Sequence, residues 1–256
     1  MPAGRPRPMA MRPLLILLAM LPTALPAAEC TVRSGPDANA LIELYTSEGC
    51  SSCPPADRWL SSFARAPDKR VVPVAFHVSY WDYIGWKDLF ADARYTERQR
   101  AFAKATGARS VYTPQVILAG RDYRAWHGSG AGAAIDGVKA KRAGATIEIT
   151  PRATPGGGVE GEVSAQALPA THGDLALVVA VTQNGLSSKV TAGENKGERL
   201  EHNFVVRDLA VIPSLKGAFA FKPKADWNLE RMSVVAFVQD TRSGAVLQAL
   251  SAALCR

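Results

Sequence analysis

Cysteine and histidine are scarce in this 256-residue chain, with four of each: Cys30, Cys50, Cys53 and Cys255, and His77, His127, His172 and His202. A closed structural zinc site needs about four such ligands, and the histidines are too scattered to supply them by local spacing. No metal ligand set and no cofactor is therefore assigned. No run of lysine and arginine is long enough to track a phosphate backbone, so nucleic acid is not expected as a partner. No glycine loop of phosphate-cradling form and no Ser/His/Asp order stands out. No apolar run reaches the roughly 20 residues that a spanning helix requires.

What the N-terminus does have is order. Arg5, Arg7 and Arg12 precede an apolar run from Leu14 to Leu21, and small residues follow to Ala27 and Ala28. That sequence of features predicts a secretory signal peptide over residues 1–28, cut near Ala28; an uncleaved anchor is the alternative. Glu29 stands before Cys30, where a lipoprotein signal carries a small residue, so no lipid is expected there. Cleavage leaves 27 basic against 23 acidic residues, a net of +4. The expectation is a secreted or periplasmic protein with no stable membrane insertion after cleavage. In such an oxidising compartment disulfides persist. Cys30 and Cys255 lie near the two ends of the mature chain, and chain ends often meet. A Cys30–Cys255 disulfide is the expected pairing, worth about 5 kcal/mol in the chain-entropy picture; two unpaired or intermolecular thiols are the alternative.

Leu41 to Tyr45 reads as a strand. Pro54 or Pro55 suits a first helical turn, and Ala56, Trp59, Leu60 and Phe63 then recur on one helical face. Val71 to Val78 is apolar enough for a strand buried on both sides. The aromatic loop SYWDYIGWKDLF leads to a helix over residues 91–106, ended by Gly107. Gln115 to Ala119 and the segment DYRAWHG form a predicted hairpin, and GAAIDGVKAKRAG a last helix. The economical packing is a mixed four-stranded sheet flanked by helices, over residues 29–143. From residue 144 to 256 short alternating segments punctuated by Gly, Pro, Asn and Asp predict a mainly antiparallel β-sandwich.

The chemistry concentrates at Cys50-Ser51-Ser52-Cys53, between a strand and a helix. A sulfur at a helix start faces unpaired N–H groups and the positive end of the helix dipole, which favour thiolate. Cys50 is then the nucleophile of thiol–disulfide exchange and Cys53 the resolving thiol. Ser51 and Ser52 are in place to hydrogen-bond sulfur. Thr113-Pro114 precedes the third strand, where a thioredoxin fold places a cis proline against the cysteine pair and a substrate strand. The partner would be a protein or small-thiol disulfide, with a separate redox partner. Two alternatives stay open: a soft-metal site for an ion such as Cu(I) at the two sulfurs, and a redox-inert binding module. His77, at the end of the second strand, is a candidate third ligand or proton acceptor, or a hydrogen-bonded histidine with no chemistry.

Tyr80, Trp81, Tyr83 and Trp86 either roof the cysteine site as a substrate platform or pack the loop on itself. Asp82, Lys87 and Asp88 read as solvated loop charges, and Arg98 and Arg100 as the wet face of a helix. Glu194, Asn195, His202 and Arg207 sit in AGENKGERLEHNFVVRDL, either as a polar site or domain contact or as parts of a hairpin whose Gly-rich turn, fixed by Asn195, explains much of the stretch.

The segments LIELYTSEGCSSCPPADRWL, FHVSYWDYIGWKDLFA, RQRAFAKATGARSVYTPQVILAG and TAGENKGERLEHNFVVRDL together resemble the DUF1223 family of secreted thioredoxin-like proteins. The resemblance covers nearly all of the chain after the signal. It implies a thioredoxin-like domain with an appended β domain, and it supplies no substrate. The family pattern has Asp where Ser79 stands and Pro where Leu89 stands; the first departure removes a carboxylate from any carried-over proton-transfer role.

Overall fold

The computed structural model describes residues 30–255 apart from 170 and 172, together with residues 1 and 4. The signal-peptide reading and His172 lie outside the described residues. The elements run β1 (Val32–Arg33), β2 (Ala40–Thr46), α1 (Pro54–Arg65), β3 (Val71–His77), a 3-10 turn (Ser79–Ile84), α2 (Ala93–Thr106), β4 (Gln115–Leu118), β5 (Arg121–Asp122) and α3 (Ala131–Lys139). Strands follow: β6 (Ala145–Ala153), β7 (Val159–Ala167), β8 (Leu175–Gln183), β9 (Leu186–Lys189), β10 (Arg199–His202), β11 (Val205–Ile212), β12 (Lys216–Phe221), β13 (Met232–Asp240) and β14 (Val246–Ala253).

The result is a mixed α/β architecture with one large sheet. Its eight strands lie in the order β14-β13-β8-β11-β3-β2-β4-β5. A four-stranded sheet, β1-β6-β7-β12, packs against part of it, and β9 and β10 form a separate hairpin. The expected four strands of residues 29–143 are therefore one wing of a larger sheet. The join is a short parallel meeting of β11 with β3, at Val205 opposite Ala75, where Ala75 N–H donates to Phe204 O at 2.8 Å.

Side-chain alternation explains the layering. In β8, Leu177, Val179 and Val181 face the four-stranded sheet and pack with Ile147, Ile149 and Val163. Val178 and Ala180 point the other way, toward Val72, Val74 and Phe76 and the helix residues Tyr95 and Phe102. A strand with apolar neighbours on both faces carries a continuous apolar run. A third cluster, Ile42, Leu44, Ala56, Leu60, Val116 and Ile135, seats α1 and α3 on the opposite face of β2 and β4.

Two strands escape the sequence reading, β1 and β14. The Ala/Leu-rich β14 has little intrinsic strand preference, but pairing along β13 from Ser233↔Ala253 to Gln239↔Val246 overrides it. The fourth strand is only two residues long. Beyond Tyr123 the chain turns, with Gly128 N–H on Ala125 O at 3.0 Å, and Trp126 packs on Trp59 at 5.7 Å between ring centroids.

Arg98 overturns its reading as a solvated helix charge. Asp92 caps α2 through Arg94 N–H, and the helix then lies across the join of the two wings. Arg98 donates to Glu43 Oε2 at 2.7 and 3.0 Å and to Gln239 Oε1 at 3.0 Å. Its guanidinium lies over the Phe76 and Phe237 rings at 5.5 and 4.9 Å. Burial disfavours its charge, and the Glu43 carboxylate outweighs that cost and keeps it ionised. Glu43 is 1% exposed, so removing its partner strands a buried carboxylate. An Arg98→Met substitution is expected to cost about 3 kcal/mol, within the range for breaking one side of a buried pair. A urea denaturation midpoint unchanged from wild type would refute this account.

Candidate functional site

The Cys50–Cys53 pair is a disulfide with Cα atoms 5.4 Å apart, and Cys30–Cys255 is a second, with Cα atoms 5.9 Å apart. The first lies where β2 has ended and α1 begins. Cys50 Sγ stands 3.3 Å from Ser52 Oγ. Ser51 and Ser52 are exposed, whereas Cys50 and Cys53 are only 1% and 0% exposed.

The helix start differs from expectation in one respect. Pro54 and Pro55 open α1 and have no N–H to offer. The next two N–H groups, of Ala56 and Asp57, both donate to Cys53 O, at 2.9 and 3.1 Å. Ser51 N–H donates to the Glu194 carboxylate at 2.9 Å. The amides expected to cradle the Cys50 sulfur are thus absent or already engaged. Ser52 and the dipole of the 12-residue helix remain to favour its anion.

The reason Cys50 is covered lies in the turn between β9 and β10. Asn195, buried, donates through Nδ2 to Glu48 O at 2.8 Å and to Cys50 O at 3.0 Å. The Gly-rich stretch that read as a hairpin turn therefore also clamps the disulfide loop. Gly193 has φ +73°, and a β-carbon there would meet Trp86 Cβ at 3.2 Å; one on Gly49 would meet Trp81 Cβ at 3.1 Å. These two glycines let the aromatic loop settle against both the cysteine loop and its clamp.

The aromatic residues divide. Trp81 Nε1–H donates to Thr113 Oγ1 at 2.7 Å, and Trp86 Nε1–H to Glu48 Oε2 at 2.9 Å. Trp81 thereby spans from Gly49 to Thr113, and the Thr113–Pro114 peptide is cis. Tyr80 is half-buried, and burial raises its hydroxyl pKa. Tyr83 is 83% exposed and belongs to neither group.

Beneath the cysteine loop lies a buried charged cluster that sequence spacing did not indicate. His77 is 0% exposed and its Nδ1 lies 2.7 Å from Asp88 Oδ2. Asp88 also accepts from Glu48 N–H at 2.8 Å and Phe90 N–H at 2.9 Å. It is thus no solvated loop charge: it ties the aromatic loop to the end of β3. His202, at the end of β10, places Nε2 3.1 Å from Glu48 Oε1 and Nδ1 4.0 Å from Asp57 Oδ1. Asp57 Oδ2 accepts from Thr46 Oγ1 at 3.0 Å. Burial lowers the His77 pKa, but Asp88, with Asp57 and Glu48 behind it, outweighs this and raises it. Burial pushes the Asp57 pKa up, against the pull of the two histidines. Asp88 is disfavoured as an anion by burial, yet His77 and two backbone N–H groups hold its pKa below the ordinary value. His77 therefore faces carboxylates and His202 rather than sulfur. One sequence signal for Asp57 exists: it falls with Leu60 and Ser61 on the buried stripe of α1. Arg207 leaves this group and pairs with Asp226 while facing the Phe90 ring.

A family model described as a protein of unknown function, DUF1223, matches residues 41–239. The chain belongs to the DUF1223 family. This DUF1223 chain is similar to a crystal structure of an Agrobacterium tumefaciens protein, with a TM-score of 0.63, 25% identity, and coverage of 87% of this chain and 97% of that one. It is also similar to HBP35 of Porphyromonas gingivalis, with a TM-score of 0.59, 17% identity, and coverage of 85% and 76% respectively. The second likeness is one of fold. No curated protein matches the sequence.

Asn195→Ala removes two hydrogen bonds from backbone carbonyls of the cysteine loop. Each buried bond lost costs about 1–3 kcal/mol, and 1.4 kcal/mol is about a factor of ten. Reduction of Cys50–Cys53 by dithiothreitol is expected to be at least about tenfold faster than in wild type. Equal reduction rates would show that the turn does not hold the loop closed.

Proposed function

We propose that this DUF1223 protein is an exported thiol–disulfide oxidoreductase of thioredoxin-like fold. The observation that carries the reading is a Cys50–Cys53 disulfide, its cysteines three apart, between β2 and α1, with Ser52 Oγ at 3.3 Å from Cys50 Sγ. The side-by-side order β3-β2-β4-β5 supports the thioredoxin-like assignment, since that motif sets two parallel strands beside an antiparallel pair. Thr113 and Pro114 precede β4, and Trp81 links them to the cysteine loop. Export is supported by two disulfides; among the described residues no helix is long and apolar enough to cross a membrane.

In the reduced protein the Cys50 thiolate attacks one sulfur of a substrate disulfide. A Cys50–substrate S–S bond forms as the substrate's other sulfur leaves as thiolate. Cys53, deprotonated, then attacks Cys50, re-forming the internal disulfide and expelling the second substrate sulfur. Two electrons pass to the substrate, and its thiolates take up the two protons released by the cysteines. Run backwards, the same steps oxidise a substrate dithiol. After substrate reduction a protein dithiol, or two equivalents of a small thiol, reduces the pair again; after substrate oxidation a disulfide oxidant re-forms it. Ser51 and Ser52, exposed at the loop, and Tyr80 and Trp81 beside it form the surface that a substrate meets.

A competing reading rests on a specific observation. Cys50 is 1% exposed under the Asn195 clamp, which suits a disulfide that only staples the loop. Trapping separates the two. Cys53→Ser is expected to accumulate a mixed disulfide through Cys50 with a peptide or glutathione disulfide, while Cys50→Ser forms none. If neither variant forms an adduct and wild type exchanges no faster than free cysteine, the pair is structural.

A further inference from the structure

Two imidazole nitrogens inside the cluster lack any hydrogen-bond partner: His77 Nε2 and His202 Nδ1. Their rings meet edge to face at 4.9 Å between centroids. The opposite nitrogen of each is engaged by a carboxylate, Asp88 for His77 and Glu48 for His202. That arrangement sets the tautomer of the neutral ring that a metal requires: with its outer N–H donated to the carboxylate, the inner nitrogen keeps a lone pair. Asp57, held by Thr46 through Oδ2, turns Oδ1 toward the same space. One donor atom from each of the three residues lies within 4.8 Å of the other two. His77 and His202 side chains are 0% and 2% exposed and that of Asp57 8%. An unpaired buried polar atom is costly to leave without a partner, and His202 Nδ1 lies 4.0 Å from Asp57 Oδ1, beyond hydrogen-bond reach.

We propose that Asp57, His77 and His202 form a three-ligand binding site for a zinc-like divalent transition-metal ion. Two imidazoles and one carboxylate suit zinc and its neighbours. Calcium and magnesium prefer more oxygen ligands, and Cu(I) prefers sulfur. Zinc bonds of about 2.0–2.2 Å set tetrahedral donors about 3.4 Å apart, so side-chain shifts of about an ångström close the present spacing around an ion. Three protein ligands leave a coordination position for water or another donor. Asp88 and Glu48 act as the outer carboxylates that orient the ligands and raise their basicity. The site uses no sulfur, so it stands or falls separately from exchange at Cys50.

The test uses the oxidised full chain, stripped with a chelator and titrated with Zn²⁺ alone. One ion per chain is expected by calorimetry and elemental analysis. His202→Gln should weaken binding at least about 100-fold, and Glu48→Gln about 10- to 100-fold. The Cys50→Ser/Cys53→Ser double variant should bind as wild type does. Co²⁺ loaded into wild type gives a reading that needs no substitution, should a variant fail to fold: visible d–d bands of nitrogen and oxygen ligation are expected, without a thiolate charge-transfer band. Absence of stoichiometric Zn²⁺ and Co²⁺ binding overturns the proposal, as does binding that survives His202→Gln in a folded variant or disappears in the cysteine double variant.

Discussion

Val205 lies opposite Ala75, and from that one parallel contact the two wings become a single sheet. Everything above the sheet follows from it. With β11 beside β3, the strand before it ends next to the C-terminal end of β3, and His202 arrives against His77. The β9–β10 hairpin is carried over the loop after β2, where Asn195 reaches the carbonyls of Glu48 and Cys50. Helix α2 straddles the same join from the other face. Tyr95 donates to Val206 O at 3.1 Å, and Arg98 ties Glu43 of β2 to Gln239 of β13. A slip of one residue at this seam would turn every side chain of β11 to the wrong face.

The interior of this protein is unusually polar at one spot, and that polarity is cross-linked. Glu48 accepts a hydrogen bond from Trp86 Nε1–H through one oxygen and faces His202 with the other. Asp88 gathers His77 and two backbone N–H groups. Buried charge is tolerated only when paired, so each of these contacts fixes a loop as well as a charge. The aromatic loop, the cysteine loop and the hairpin turn are held as one body by groups that would otherwise be costly to bury.

The local part of this design was legible. Cysteines three apart between an apolar strand and a proline-opened helix announce themselves through local spacing, and so do the strands whose β-branched runs are buried on both faces. Cys30 and Cys255 could be paired from their positions near the chain ends, since chain termini often meet. What spacing could not reveal was convergence from distant segments. Glu48, Asp57, His77, Asp88 and His202 share no motif: the pairing of β2 with β3 gathers the first four, and the parallel join of β3 with β11 adds His202. Asp88 and Arg98 looked wet for the same reason: a polar residue's burial depends on a partner that the local sequence does not contain. Pro54 and Pro55, visible in the sequence, remove two of the amides expected at the helix start and leave the helix dipole and Ser52 beside Cys50.

The bond between Cys30 and Cys255 makes the backbone from one to the other a covalent circle. A protease that severs a single peptide bond anywhere within that circle opens it without setting a fragment free. Both new ends stay tethered to the same molecule, so a nicked chain can keep its sheet partners in reach.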